Sequence, residues 1–415
     1  MNKRYRAGVS SLLWVVFTDS LGWGLAFSIF ATLFFNKHST FLPLTVTDTT
    51  RHMLYEALLA IYSVFMFVFS PIIGAISDRY GRKIGLKISM LGLTSGFFLS
   101  ALSCYYSILW LLIVSRIISG MTAGSLSVAQ AAIVDISTPQ TKAFNLSTLV
   151  LANCLGFSLG PVLGGIFVSD NIAIMGATTF LLGATLSTLG YMGLVLFFDE
   201  TYSPPIQDKK INILTDFLNI KAAFSKPVLS HYLFAFALSM IAYGLLFSNI
   251  PVYLHRYFDL DSTKTGFILT VLAIVLSASL IFGGKYILSY FEKIQAILVA
   301  QGIQFTVYLI LSISLSSLLF NCILFGLISF FVGVMYIGLL TLISDATSKE
   351  WQGRIMGVIA SLSSLTWGIG PLLSGGLSSV SISTAFLCCA ALIFGGMLSL
   401  HFSRAALDLN GVSNS

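Results

Sequence analysis

Two ionisable residues stand far from any polar stretch of this chain. Asp19 lies inside an apolar run that continues to Phe35, and Arg116 lies inside the apolar stretch 107–135. A carboxyl group in apolar surroundings can take up and release a proton, and a guanidinium beside it can tune that exchange. An ionised group at the centre of a lipid bilayer costs at least about 2.5–3.5 kcal/mol on insertion scales, so such a residue is a functional candidate by default. Counted at 1.5 Å per residue, Asp19 falls about 15 Å from the start of its helix, near the middle of a hydrocarbon layer. Arg116 enters from the opposite side to a similar depth. Two opposite charges at matched depth predict a pair, with Arg116 tuning the ionisation of Asp19.

Other chemistries find no residue pattern. His38, His52, His231, His255 and His401 are scattered, and Cys104, Cys154, Cys322, Cys388 and Cys389 sit in apolar stretches. None of these has metal-ligand spacing. The stretch Gly81–Gly85 follows no strand, which excludes a nucleotide-binding loop. No nucleophile stands near a general base. The chain is therefore expected to be neither an enzyme nor a holder of a metal or cofactor.

The elements that must position Asp19 and Arg116 follow from composition. Of 415 residues, 56% are hydrophobic and 9% are charged. A soluble domain carries about 25% charged residues, so too few remain here to cover a water-facing surface. Lipid must be the main solvent, and a span needs about 20 apolar residues. Such runs predict helices at 9–35, 54–77, 83–104, 107–135, 142–168, 171–198, 227–254, 264–290, 294–316, 318–345, 351–378 and 382–404. The first is basic at its start, as a signal peptide is, but its apolar run is too long and holds Asp19. It is read as a retained membrane helix.

Lys and Arg fix the orientation. Seventeen lie on the side of the N-terminus, among them Arg79, Arg82, Lys83, Lys142, Lys293, Arg354 and Arg404. Four (Lys37, Arg51, Arg256 and Lys264) lie on the other. Both termini are expected in the cytoplasm, with the chain in the inner (plasma) membrane. The same distribution turns the net charge of +6 away from nucleic acid and towards topology. The longest polar stretch, 199–226, is read as a linker between two six-helix halves, 1–198 and 227–415. A shift of 210 residues places Asp135 on Asp345, Gly160-Pro161 on Gly370-Pro371, Gly165 on Gly375 and Gly74 on Gly284, as a duplicated half would.

Four segments carry a resemblance. Gly74-Ala-Ile-Ser-Asp78-Arg79-Tyr-Gly81-Arg82-Lys83, between helices two and three, resembles the signature loop of the major facilitator superfamily. Asp78 is expected to accept hydrogen bonds at a helix N-terminus, while Arg79 and Arg82 pair with acids across the interface between halves as a cytoplasmic latch. Asp135 and Asp345, at cytoplasmic helix ends, are expected as capping or latch partners. The second half lacks the Asp-Arg pair in Ser289–Lys293. Gly156-Phe-Ser-Leu-Gly160-Pro161-Val-Leu-Gly164-Gly165 in helix five resembles the superfamily's drug/proton antiporter motif, in which glycines admit close helix contact and proline bends the helix. Arg116-Ile-Ile-Ser-Gly120 resembles the helix-four motif whose arginine is tied to proton coupling. Asp19-Ser-Leu-Gly22-Trp23-Gly24 resembles the helix-one acidic segment of tetracycline-type efflux pumps.

The resemblance implies an all-α polytopic membrane protein with twelve spans in the major facilitator fold. It implies proton-coupled export of a small amphipathic or drug-like organic molecule by a monomer, with the substrate, protons and lipid as its partners. A cavity is expected to be lined by Trp23 and Phe27, which share a helical face with Asp19. Gln130, Asn153, Tyr243, Phe247, Gln304, Tyr336 and Trp367 are further lining candidates. A transporter of a specific metabolite, amino acid or siderophore on the same fold is the alternative, and a membrane sensor without transport is a third.

Overall fold

The computed structural model describes residues 3–36, 39, 41–43, 45–138, 141–166, 172–201, 213–283, 287, 290–313, 317–348 and 351–409. Among these, helices account for nearly every residue and no strand occurs. The N-terminal helices are α1 (Lys3–Phe35), α2 (Asp48–Tyr80), α3 (Arg82–Tyr106), α4 (Leu109–Met121), α5 (Ser125–Ile136), α6 (Lys142–Ile166) and α7 (Ile172–Phe197). After them come α8 (Ile213–Phe224), α9 (Pro227–Phe258), α10 (Ser262–Phe282), α11 (Lys293–Ile313), α12 (Leu318–Asp345), α13 (Gln352–Val380) and α14 (Ile382–Leu409). Twelve stretches are long and apolar enough to cross a membrane, with α4 and α5 together making one of them. The expected fold class is thus present.

Three elements depart from expectation, each for a local reason. The second span starts well before residue 54, because Thr47 caps it and accepts from the Thr50 N–H at 3.3 Å. That start places Glu56 two turns inside the helix, where it is buried. The fourth span was expected as one rod over 107–135 and is cut at residues 122–124. Thr122 turns its hydroxyl back onto the Ile118 carbonyl at 2.9 Å, and Gly124 takes a φ of +145°, open to glycine. The stretch 199–226 is more than a tether, since α8 occupies its second part.

The chain forms two compact units. Unit 1 holds residues 1–211 with 254–270, and unit 2 holds 212–253 with 271–415. The short piece 254–270 joins unit 1 through α6. Thr270 donates to the Ser158 carbonyl at 2.5 Å, and a Cβ on Gly266 would meet the Pro161 carbonyl oxygen at 2.2 Å.

Within unit 1, α1 and α6 touch backbone to backbone. A Cβ on Gly160 would lie 2.6 Å from the Gly24 Cα, and one on Gly156 would lie 2.2 Å from the Phe17 carbonyl oxygen. Gly164 faces the Ser28 side chain at 3.1 Å. Unit 2 repeats the arrangement: a Cβ on Gly370 would lie 2.7 Å from the Leu245 nitrogen, beside Gly244. Without a hydrophobic force between helices in lipid, such close approach is what holds spans together. Outward faces carry Trp110, Phe144, Leu319 and Ile313, all exposed and suited to acyl chains.

Candidate functional site

Asp19 projects from α1 and is half-buried. Its Oδ2 accepts a hydrogen bond from the Ser125 hydroxyl at 2.6 Å. Ser125 is the first residue of α5, so the break in the fourth span delivers a helix start to the carboxylate. Arg116, on α4, makes no ion pair with Asp19. It is buried, with its guanidinium 4.5 Å from the centre of the Tyr62 ring and 5.5 Å from that of Phe30, and its Nε meets no acceptor. The expected pair is therefore replaced by two separate settings, a carboxylate on a hydroxyl and a guanidinium on aromatic faces. Arg116 faces Tyr62 on α2 and Phe30 on α1. Tyr62 bridges Asp19 and Arg116, lying within the electrostatic reach of both and hydrogen-bonded to Trp23.

On α1, two aromatic rings come together. Trp23 stacks on Phe27 with ring centres 6.4 Å apart and meets the edge of Tyr62 at 4.7 Å. Asn153 was expected to line the cavity. Its amide donates to the Ser20 hydroxyl at 2.6 Å and ties α6 to α1. Gln130 is half-buried on α5. In unit 2, Tyr243, Phe247 and Trp367 form a triangle with centres 5.8–6.0 Å apart. Tyr336 leans on Phe236 at 5.5 Å, and Gln304 is fully buried.

The signature loop folds as a clasp inside unit 1. Arg82 pairs with Asp78 one turn before it, and its Nε donates to Asp135 at 3.0 Å. Both acids belong to the same unit, so the latch contacts of Arg82 described here do not cross between halves. Asp78 does not cap a helix N-terminus, because it lies in the last turn of α2, where no free N–H points. Glu200 does that work. Its carboxylate accepts from the backbone N–H groups of Arg82 at 2.8 Å and Lys83 at 3.0 Å, at the start of α3. Lys83 reaches the end of α7, donating to the carbonyls of Val195 (3.0 Å) and Phe198. Gly81 is required on two counts, a φ of +112° and a Cβ position 2.3 Å from Glu200 Oε2. Arg79 rests on the Tyr80 ring at 5.4 Å. Gly74 faces open space, and Gly165 lies outside the described side chains.

Among the described residues of unit 2, an ion pair joins two helix ends. Lys293 at the start of α11 donates to Asp345 at the end of α12 at 2.6 Å. Asp345 lies 210 residues after Asp135, but its partner Lys293 lies 210 residues after Lys83 rather than after Arg82. Residue types alone could not single out Ser125, Tyr62 or Phe30, which are ordinary in any membrane helix. Glu200 was legible as an acid but read as part of a linker.

The Major Facilitator Superfamily model matches residues 12–371. The class H tetracycline resistance protein of Pasteurella multocida is 27% identical over 382 residues, covering 90% of this chain and 89% of that protein. Mouse major facilitator superfamily domain-containing protein 10 is 24% identical over 364 residues, covering 80% of this chain and 74% of that protein. Among solved structures, an occupied, inward-facing bacterial homologue of the human lysosomal transporter Spinster shares the fold with a TM-score of 0.74. The identity is 13%, over 98% of this chain and 97% of that one. A human organic anion transporter gives 0.70 at 18% identity, over 96% and 100%. With a family model spanning most of its length and twelve membrane-capable helices in two units, the chain belongs to the Major Facilitator Superfamily of transporters.

Proposed function

We propose that the chain exports a small amphipathic organic molecule in exchange for protons, by alternating access, with Asp19 as the proton carrier. The observation that carries this reading is the setting of Asp19. The carboxylate is embedded in a span, half-buried, and held by one neutral hydroxyl rather than by a cation. Such an acid can gain or lose a proton without first breaking an ion pair. Arg116 supplies a fixed positive charge nearby, and Tyr62 lies between them. The aromatic faces of Trp23 and Phe27, and of Tyr243, Phe247 and Trp367, suit a flat apolar body. The protein acts as a monomer in the inner membrane with both termini in the cytoplasm. The halves 1–198 and 227–415 are the repeat units, and the clasp around Arg82 holds the cytoplasmic side of the first.

The tetracycline resistance proteins among its relatives make a tetracycline the first compound to try. Everted vesicles carrying the protein should accumulate it when a proton gradient is imposed and stop when the gradient is collapsed. Asp19→Asn should remove the gradient-driven part while the protein stays inserted and folded. Wild-type rates from the folded variant would take Asp19 off the proton path.

A further inference from the structure

The polar core of unit 2 holds no buried charged side chain among the described residues, yet one helix face there carries a run of polar atoms without protein partners. On α11, Gln301, Gln304 and Tyr308 share a face by their spacing and are all fully buried. The opposite face shows Val299 and Ile313 to the outside. Gln301 spends its amide N–H on the Ser239 hydroxyl at 3.0 Å, leaving its carbonyl oxygen unmatched. Gln304 has neither its carbonyl oxygen nor its amide nitrogen matched, and the Tyr308 hydroxyl is unmatched as well. Buried polar groups in folded proteins nearly always have partners, so a contiguous set of orphans calls for an explanation. The face looks towards α9 and α14, with Tyr308 in electrostatic reach of Tyr243 and Cys389. Ser239, which Gln301 bonds, lies one turn before Tyr243 on α9, and Tyr243 opens the aromatic triangle with Phe247 and Trp367.

We propose that this face is a substrate subsite for an uncharged planar group that presents a hydrogen-bond donor and acceptor side by side, as a lactam or carboxamide edge does. A glutamine amide offers the matching acceptor and donor at the same spacing, so a single group can satisfy both atoms of Gln304. Tyr308 and the Gln301 carbonyl extend the polar edge, and the aromatic triangle takes the ring behind it. The inference rests on the transport reading but not on proton coupling.

The test is equilibrium binding without any gradient, so the two can fail separately. Purified protein in lipid nanodiscs is titrated with 2-quinolone, a flat fluorescent lactam, and with its N-methyl analogue, which lacks the donor. Wild type should bind the lactam at least about tenfold more tightly than the analogue, as loss of a hydrogen bond in a dry site requires. Gln304→Met should erase that preference without lowering the thermal midpoint of the unliganded protein. Tyr308→Phe, which removes only the hydroxyl, should weaken it in the same direction. Asp19→Asn should keep the preference, whatever it does to transport. No lactam binding by wild type, equal binding of the two probes, or an unchanged preference in Gln304→Met and Tyr308→Phe would overturn the proposal. The orphan atoms would then belong to a core hydrated by ordered water.

Discussion

At the scale of single residues, charge in an apolar run was the readable signal, and contact partners were not. Asp19 and Arg116 announce themselves because no other charged residue lies within ten positions of either in the sequence. Which neighbour each one meets depends on the rotation of α1, α2 and α4 about their axes, and a helix apolar on every side carries no mark of that rotation. The revised setting has an energetic consequence. Arg116 over Tyr62, with water largely excluded, should show a coupling of about 1–2 kcal/mol in a double-mutant cycle of Arg116→Gln with Tyr62→Leu. The cycle of Arg116→Gln with Asp19→Asn should show less. Thermal unfolding in detergent reads both, and a larger coupling for the acid would restore the ion pair. Gly81 gives a second case. Gly81→Ala forces a side chain into a backbone region nearly reserved for glycine, at a cost of about 1–3 kcal/mol, and also pushes Glu200 off the start of α3. Its thermal midpoint should fall. Cysteines placed at the start of α3 should label faster, and unchanged labelling would leave the clasp without a role in closing that end.

At the scale of elements, hydropathy located all twelve spans, because each is a run of about 20 apolar residues and little else competes for that signal. It missed the cut in the fourth span, since Thr122, Ala123 and Gly124 are apolar enough to pass through the pattern. The glycines of the helix-five motif were readable as a type but not in their individual weight. Gly160 sits against the Gly24 Cα, a backbone atom that cannot swing aside. Gly160→Ala should therefore destabilise the protein by about 1–3 kcal/mol, as overpacking does. Gly370→Ala should behave alike against Gly244 and Leu245. Gly74→Ala meets nothing and should change stability by no more than about 0.5 kcal/mol. Equal effects at all three would mean that helix propensity rather than helix contact sets the result.

At the scale of the whole molecule, a repeat was read from a handful of residues sharing one offset, and Asp345, one of them, pairs with Lys293 in unit 2. Exchanging that pair, Lys293→Asp with Asp345→Lys, should recover most of the transport lost in either single variant, and no recovery would mean that each charge serves elsewhere. Orientation rests on the Lys and Arg count, so a fluorescent-protein fusion at the C-terminus should glow and an alkaline phosphatase fusion there should be inactive. The opposite result would invert the topology. The cut in the fourth span joins these scales mechanically. Helix α5 is a rigid connecting rod of 12 residues, about 18 Å long. Its first residue, Ser125, grips Asp19, and Asp135 near its far end is held by Arg82 in the clasp. Gly124 gives the rod a pivot at one end only. On the proposal that Asp19 carries the proton, its protonation acts on the rod at the pivot, and the motion would be delivered at the Arg82 clasp.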